Sequence, residues 1–185
     1  VSGLSSGSYG TSIGEYPLIP IGLDYTTQYQ YNNAVTLNQG QVGPGNWGSL
    51  ALGGVGGSNE RGNLANGSSG PIAVNDYVAT EPGQKVGPVD QGFTDRINRA
   101  MSEFPNGTFS NHDPKDPRAV VLPMVDWNTA QGRSGVLVHG FSMLWIDDVN
   151  GGTIHAHFIQ QVVPDSLPNS QATDWGAHGV PFLIK

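Results

Sequence analysis

Three segments between Arg118 and Val163 decide the fold: Arg118–Trp127 (RAVVLPMVDW), Gly135–Ile146 (GVLVHGFSMLWI) and Thr153–Val163 (TIHAHFIQQVV). Each is rich in Val, Ile and aromatic residues, the side chains that fit a pleated, half-buried surface. Short stretches of Gly, Asn and Asp separate them. Asp147–Gly152 (DDVNGG) has the composition of a hairpin loop. The three are therefore expected to form a consecutive antiparallel meander, the heart of a sheet.

Upstream, one amphipathic helix is expected from about Asp90 to Phe104. Phe93, Ile97, Ala100, Met101 and Phe104 recur at helical spacing on one face, and Pro105-Asn106-Gly107 ends the pattern. Asp90 and Asp95 near its start favour the positive end of the helix dipole. Pro71–Thr80 (PIAVNDYVAT) reads as a strand. Gln41–Gly57 is glycine-rich, with a buried SLAL strand between turns and Trp47 as a packing anchor. Ser58–Gly70 reads as an irregular polar connection. Leu23–Leu37 suggests two short strands with a turn at Asn32-Asn33. Tyr16–Ile21 (YPLIPI) carries two prolines, which limit it to an edge strand. Val1–Gly14 has the composition of a flexible linker, and Val180–Ile184 (VPFLI) that of a closing strand. The expectation is one β-rich domain over 15–185, all-β with one amphipathic helix, either a β-sandwich or a partly closed antiparallel barrel.

Composition narrows the function. Charged residues make up only 12% of the 185 residues, about half the ~25% usual for soluble domains. The net charge is -7, and the eight basic residues are scattered from Arg61 to Lys185 without a cluster. Phosphate neutralisation on nucleic acid and docking on anionic lipid are both unfavourable for such a chain. There is no cysteine, so disulfides and thiolate metal sites are excluded. No run approaches the ~18 apolar residues of a membrane span. A surface whose polarity sits on amides and hydroxyls tolerates close lateral packing, because few charges must be desolvated.

Few residues suggest chemistry. His155-Ala156-His157 is the best metal candidate, since positions i and i+2 of a strand share a face. No spacing nominates His112, His139, His178 or a carboxylate as a third ligand, so no metal and no cofactor is expected. Asp147-Asp148-Asn150 and Asn111-Asp113-Asp116 offer hard oxygens in turns without the alternation of a calcium loop. Ser142 sits mid-strand in no nucleophile motif, and Glu60, Glu81 and Glu103 show no useful pairing. Asn66-Gly67-Ser68 and Asn106-Gly107-Thr108 match glycosylation acceptors. Trp47, Trp127, Trp145 and Trp175 read as packing anchors before they read as a sugar-stacking platform. No enzyme is expected.

Pro44-Gly45-Asn46-Trp47-Gly48, Leu50-Ala51-Leu52-Gly53-Gly54, Asp76–Gly87 (DYVATEPGQKVG), Arg96-Ile97, Pro117-Arg118 and His139-Gly140-Phe141 occur in that order. From about Tyr16 onward they resemble the extracytoplasmic domain of TadE/TadG-like proteins of the tight-adherence (Flp) pilus-assembly system. The hydrophobic membrane helix with which such proteins begin is missing from this chain, and Gln84-Lys85 stands where an Asn-Met-like pair is expected. The resemblance implies a pilus or cell-surface role and carries no catalytic residues. The expectation is an exported, extracellular or surface-bound structural subunit that associates with copies of itself or other surface proteins. Its candidate assembly segment is the proline-flanked strand with Tyr16, Leu18, Ile19, Ile21 and Leu23, within an exchangeable stretch 15–37. The alternative is a monomeric adhesive or carbohydrate-binding module.

Overall fold

The computed structural model describes residues 12–13, 16–26, 32–40, 46–68, 72–81, 86–129 and 135–162. The expected closing strand Val180–Ile184, His178, Trp175 and most of the N-terminal linker lie outside the described residues. Among the described residues, nine strands and two α-helices follow one another as β1 (Ser12–Ile13), β2 (Tyr16–Pro17), β3 (Ile21–Asp24), β4 (Ala34–Gln39), β5 (Asn46–Ser49), α1 (Gly57–Asn66), β6 (Tyr77–Val78), α2 (Val86–Glu103), β7 (Ala119–Asp126), β8 (Val136–Asn150) and β9 (Thr153–Val162). A 3-10 turn, Trp127–Thr129, follows β7. The protein is mostly β.

The expected meander is present: β7, β8 and β9 pair antiparallel in order. The turn between β8 and β9 is tighter than its composition suggests. Strand β8 runs through Asp147 and Asp148 to Asn150, and only Gly151 (φ 60°) and Gly152 (φ 78°) form the loop. Both need the left-handed region that glycine enters without steric cost. Two outside contacts hold this turn. The Asp90 carboxylate accepts from Gly151 N and Gly152 N at 2.8 and 3.0 Å, and Trp47 Nε1 donates to Gly152 O at 3.1 Å.

The remaining strands join the two sides of the meander. The order is β8-β7-β3-β5-β4-β9, and β9 pairs back onto β8, so six strands form a closed ladder with β6 attached outside on β8. The ladder is mixed, whereas the barrel alternative was expected to be antiparallel: β3 runs parallel to β7, and β4 parallel to β5. The strand that follows the expected edge segment 16–21, β3, is internal to the ladder. It lies between β5 and β7, with Pro17 and Pro20 just before it, where they remove no donor from its pairing.

Strand alternation divides the core in two. One cluster takes Ile21 and Leu23 from β3, Leu37 from β4, Trp47 from β5, Val120 and Leu122 from β7, Leu144 and Ile146 from β8, and Ile154 and Ala156 from β9. All six strands of the closed ladder contribute, which identifies its interior. Val89 and Phe93 of α2 and Leu64 of α1 join the same cluster. The second cluster lies on the outward side of β7 and β8, where Val121, Val125, Val138, Phe141 and Met143 are covered by Leu18, Leu50, Leu52, Ile72 and Trp127.

Two helices are present where one was expected. Helix α2 begins at Val86, earlier than its apolar period indicates. Helix α1 occupies the stretch read as an irregular connection. Its own propensity is poor, with Gly57, Gly62, Asn59, Asn63 and Asn66 among its ten residues, so its neighbours must hold it. Glu81 accepts from Gly56 N at its start. At its end, Arg96 Nε donates to Leu64 O, while Arg99 donates to Ala65 O and to Asn66 Oδ1, both at 2.8 Å. An acid at the N-terminus and guanidinium groups at the C-terminus suit the helix dipole. Arg96 is fully buried and also donates to Pro117 O at 2.7 Å. Burial, with the charge of Arg99, pushes its guanidinium down to about 9. No helix among the described residues is long and apolar enough to cross a membrane.

Candidate functional site

Among the described residues, one row on the outside of the closed ladder is largely exposed. Along β4, Ala34, Thr36 and Asn38 point outward and are exposed, while Leu37 is buried inside. They face β9 in register: Ala34 opposite His157 and Thr36 opposite His155. Thr153 Oγ1 lies 3.4 Å from Asn38 Oδ1, which extends the same row. Neither 34–39 nor 153–162 contains an Asp, Glu, Lys or Arg. The outer row of β4 and β9 thus supplies no charged side chain of its own and carries two histidines, with Asp147 and Asp148 of β8 beside them.

The histidines share a face, as their spacing requires, and each meets a carboxylate from β8. A β-bulge does this for His157. Ile146 pairs with Ala156 and Asp148 pairs with His155, so Asp147 is an extra residue on β8. Bulges re-aim side chains, and here the Asp147 carboxylate meets His157, with Oδ2 at 2.7 Å from Nδ1. A carboxylate only accepts, so Nδ1 donates this bond, and the lone pair of a neutral ring held this way is on Nε2. The Phe109 ring stacks on His157 at 4.9 Å and 24°, fixing its plane. His155 lies between Thr36, with Oγ1 3.4 Å from its Nδ1, and Asp148, with Oδ1 3.9 Å from its Nε2. Its contacts are looser and its ring more exposed. Among the described residues no three His, Asp or Glu side chains are gathered to hold a metal ion.

The loop between α2 and β7 borders this face. Phe109 reaches His157, and His112 packs on Trp145 with ring centroids 4.9 Å apart. Nδ1 of His112 donates to Phe109 O at 2.8 Å. Arg118 anchors the loop: its guanidinium lies 4.4 Å over the Trp145 ring, pairs with Asp116 at 2.7 Å and donates to Phe104 O at 3.0 Å. Beside the loop lies a depression of about 500 Å³ lined by Phe104, Asn106, Asn111, His112 and Asp113.

A second bulge places another histidine. Between Met124 and Val125 the β7–β8 register shifts, leaving His139 as the extra residue of β8. Its ring stacks on Tyr25 at 4.3 Å and 16°. Burial lowers its pKa, against an opposing effect of Asp126.

The other sequence candidates disperse. Asp147 and Asp148 lie on a strand, not in a turn. In the second acidic stretch, Asp113 accepts from Lys115 N and Asp116 is committed to Arg118. Ser142 is fully buried, Glu60 and Glu81 are buried, and Glu103 is exposed at the end of α2. Asn66 is engaged by Arg99, whereas Asn106 is exposed. Trp47, Trp127 and Trp145 are buried, so these three form no exposed stacking row. Leu18, Ile19, Ile21 and Leu23 are at most 1% exposed within this chain's own core, and Tyr16 is half-buried against it. Sequence reasoning missed the Asp147–His157 pair. Folding DDVNGGTIHAH about Gly151-Gly152 brings the acids opposite the histidines, but the bulge that selects Asp147 has no signature of its own.

Comparison with protein-family models, with curated proteins and with solved structures finds no match to this chain.

Proposed function

We propose that this chain is a structural, self-associating module of an extracellular bacterial appendage, acting by contact with other protein chains and not by catalysis. The observation that carries the reading is the row of Ala34, Thr36, Asn38 and His155, exposed among the described residues. It lies on two paired strands, neither of which contains Asp, Glu, Lys or Arg. Burying hydroxyl, amide and imidazole groups against similar groups costs far less than burying charges, provided hydrogen bonds re-form across the contact. We read the closed ladder as a small barrel and not as two facing sheets. Closure uses up the strand edges, so the contact we propose is made through a face and not by adding a strand to an edge. The resemblance to TadE/TadG-like pilus-assembly proteins and the low charge content point the same way, toward an exported surface protein.

Sedimentation velocity and electron microscopy of the purified chain test this. The expected result is concentration-dependent oligomers or filaments that Thr36→Lys combined with Asn38→Lys disperses, with the fold unchanged by circular dichroism. A chain that stays monomeric up to about 1 mM, a concentration that would reveal even weak contacts, would overturn the reading.

A further inference from the structure

Building on the assembly reading, we propose that His155 and His157 form half of a transition-metal site, of the zinc class, which the same pair from a second copy completes. Four features of the structure converge on it. The two imidazoles leave adjacent outward positions of one strand, His155 exposed and His157 half-buried. Nδ1 of His157 donates to Asp147, so the lone pair that would bind metal is on Nε2. Metal-binding histidines characteristically donate their other N–H to a carboxylate, which fixes the tautomer and raises the basicity of the ligand. The Phe109 ring holds the His157 ring in place. Asp148, 3.9 Å from His155 Nε2, adds negative charge beside the pair.

The count of ligands then determines the partner. Zinc in a structural site takes about four ligands in a tetrahedron, and this chain gathers two imidazoles on the face with no third side chain placed to close the site among the described residues. A two-fold contact places the same patch on both sides. Two copies meeting through the β4–β9 face would therefore supply four imidazoles, with Asp147 of each copy as the orienting acceptor. Neutral Thr36, Asn38 and Thr153 around the histidines leave no lysine or arginine in these strands to repel the ion.

The test is zinc titration of the untagged full chain, read by calorimetry and sedimentation velocity. The expected result is one zinc per two chains and a doubled mass that a chelator reverses, both lost in His155→Ala and in His157→Ala. Asp147→Asn should leave the melting temperature within a degree or two and weaken zinc binding by about 10–100-fold, which a purely structural role for Asp147 would not do. Three results overturn the site: no zinc binding at millimolar metal, one zinc per chain without a change in mass, or binding that survives loss of both histidines. Zinc-independent association that Thr36→Lys/Asn38→Lys disperses, with no response to zinc, rejects the metal site and leaves the assembly reading intact. Zinc-driven dimers of a chain otherwise monomeric support the site and assign the association to the metal.

Discussion

Gly92 and Gly62 are both glycines inside helices, and the structure gives the same substitution opposite signs at the two positions. Replacing a helical glycine with alanine gains about 1 kcal/mol of helix propensity in an unobstructed position. At Gly62, in α1, nothing lies within 4 Å of the added Cβ. At Gly92, in α2, the same atom would sit 2.6 Å from Leu64 Cβ, 2.9 Å from Arg61 O and 3.3 Å from Arg61 Cα. Carbon atoms reach their optimal separation at about 3.5–4.0 Å, so the two helices would have to part by roughly 1 Å. Two of the three obstacles are backbone atoms, which no rotamer change can move. Overpacking of this kind costs about 1–3 kcal/mol, and here the upper end applies, because Leu64 and Phe93 would be drawn from the interior cluster with it. Net of propensity, Gly92→Ala should destabilise the protein by about 2 kcal/mol. Gly62→Ala should stabilise it by up to about 1 kcal/mol. With a urea m-value of about 2 kcal/mol/M, the unfolding midpoints would move by roughly 1 M down and 0.5 M up. Equilibrium urea unfolding, followed by tryptophan fluorescence and circular dichroism, measures both. Equal signs for the two variants, or a neutral Gly92→Ala, would refute the close approach of α1 and α2.

Two further outcomes follow from single side chains. Asp90→Ala leaves the Gly151 and Gly152 amides without their acceptor, one exposed and one part-buried, and should cost about 1 kcal/mol, with faster hydrogen exchange at those two amides than in the parent; unchanged exchange there would reject the clasp. His139 has a folded pKa lowered by burial, so below about pH 6.5 the unfolded chain binds the proton more readily than the folded one. Its contribution is complete above that pH and is lost as pH falls through the folded value. His139→Gln should therefore flatten the acid side of the stability profile, and a variant as acid-sensitive as the parent would contradict this.

Much of the strand meander was legible in the sequence because it depends on local pattern. Val120 to Val125, Val136 to Ile146 and Ile154 to Phe158 are apolar enough to have no stable place but a sheet, and short breaks between them leave only antiparallel neighbours. The main part of α2 was legible for the same reason, through the spacing of Phe93, Ile97 and Ala100. Helix α1 was not, because Gly57, Gly62 and three asparagines carry no helical signal. Glu81, Arg96 and Arg99 hold it from 15 or more positions along the chain. Pro17 and Pro20 mark where pairing is restricted but not that an internal strand, β3, begins directly after them.

The candidate site divides along the same line. That His155 and His157 share one side of a strand is a property of the two-residue period, and the sequence alone determines it. So does the scarcity of charge that makes the chain suited to contact with other chains. Which acid meets which histidine was decided only in the tertiary structure, since a bulge of one residue at Asp147 moves a carboxylate across the face. Whether that face is covered was also decided there, because cover comes from distant segments. The stretches around Leu18, Leu50 and Ile72 shield the outside of β7 and β8, whereas Ala34, Thr36, Asn38 and His155 stay exposed among the described residues. Local periodicity determines the direction of a side chain, and only long-range packing determines what it finds there.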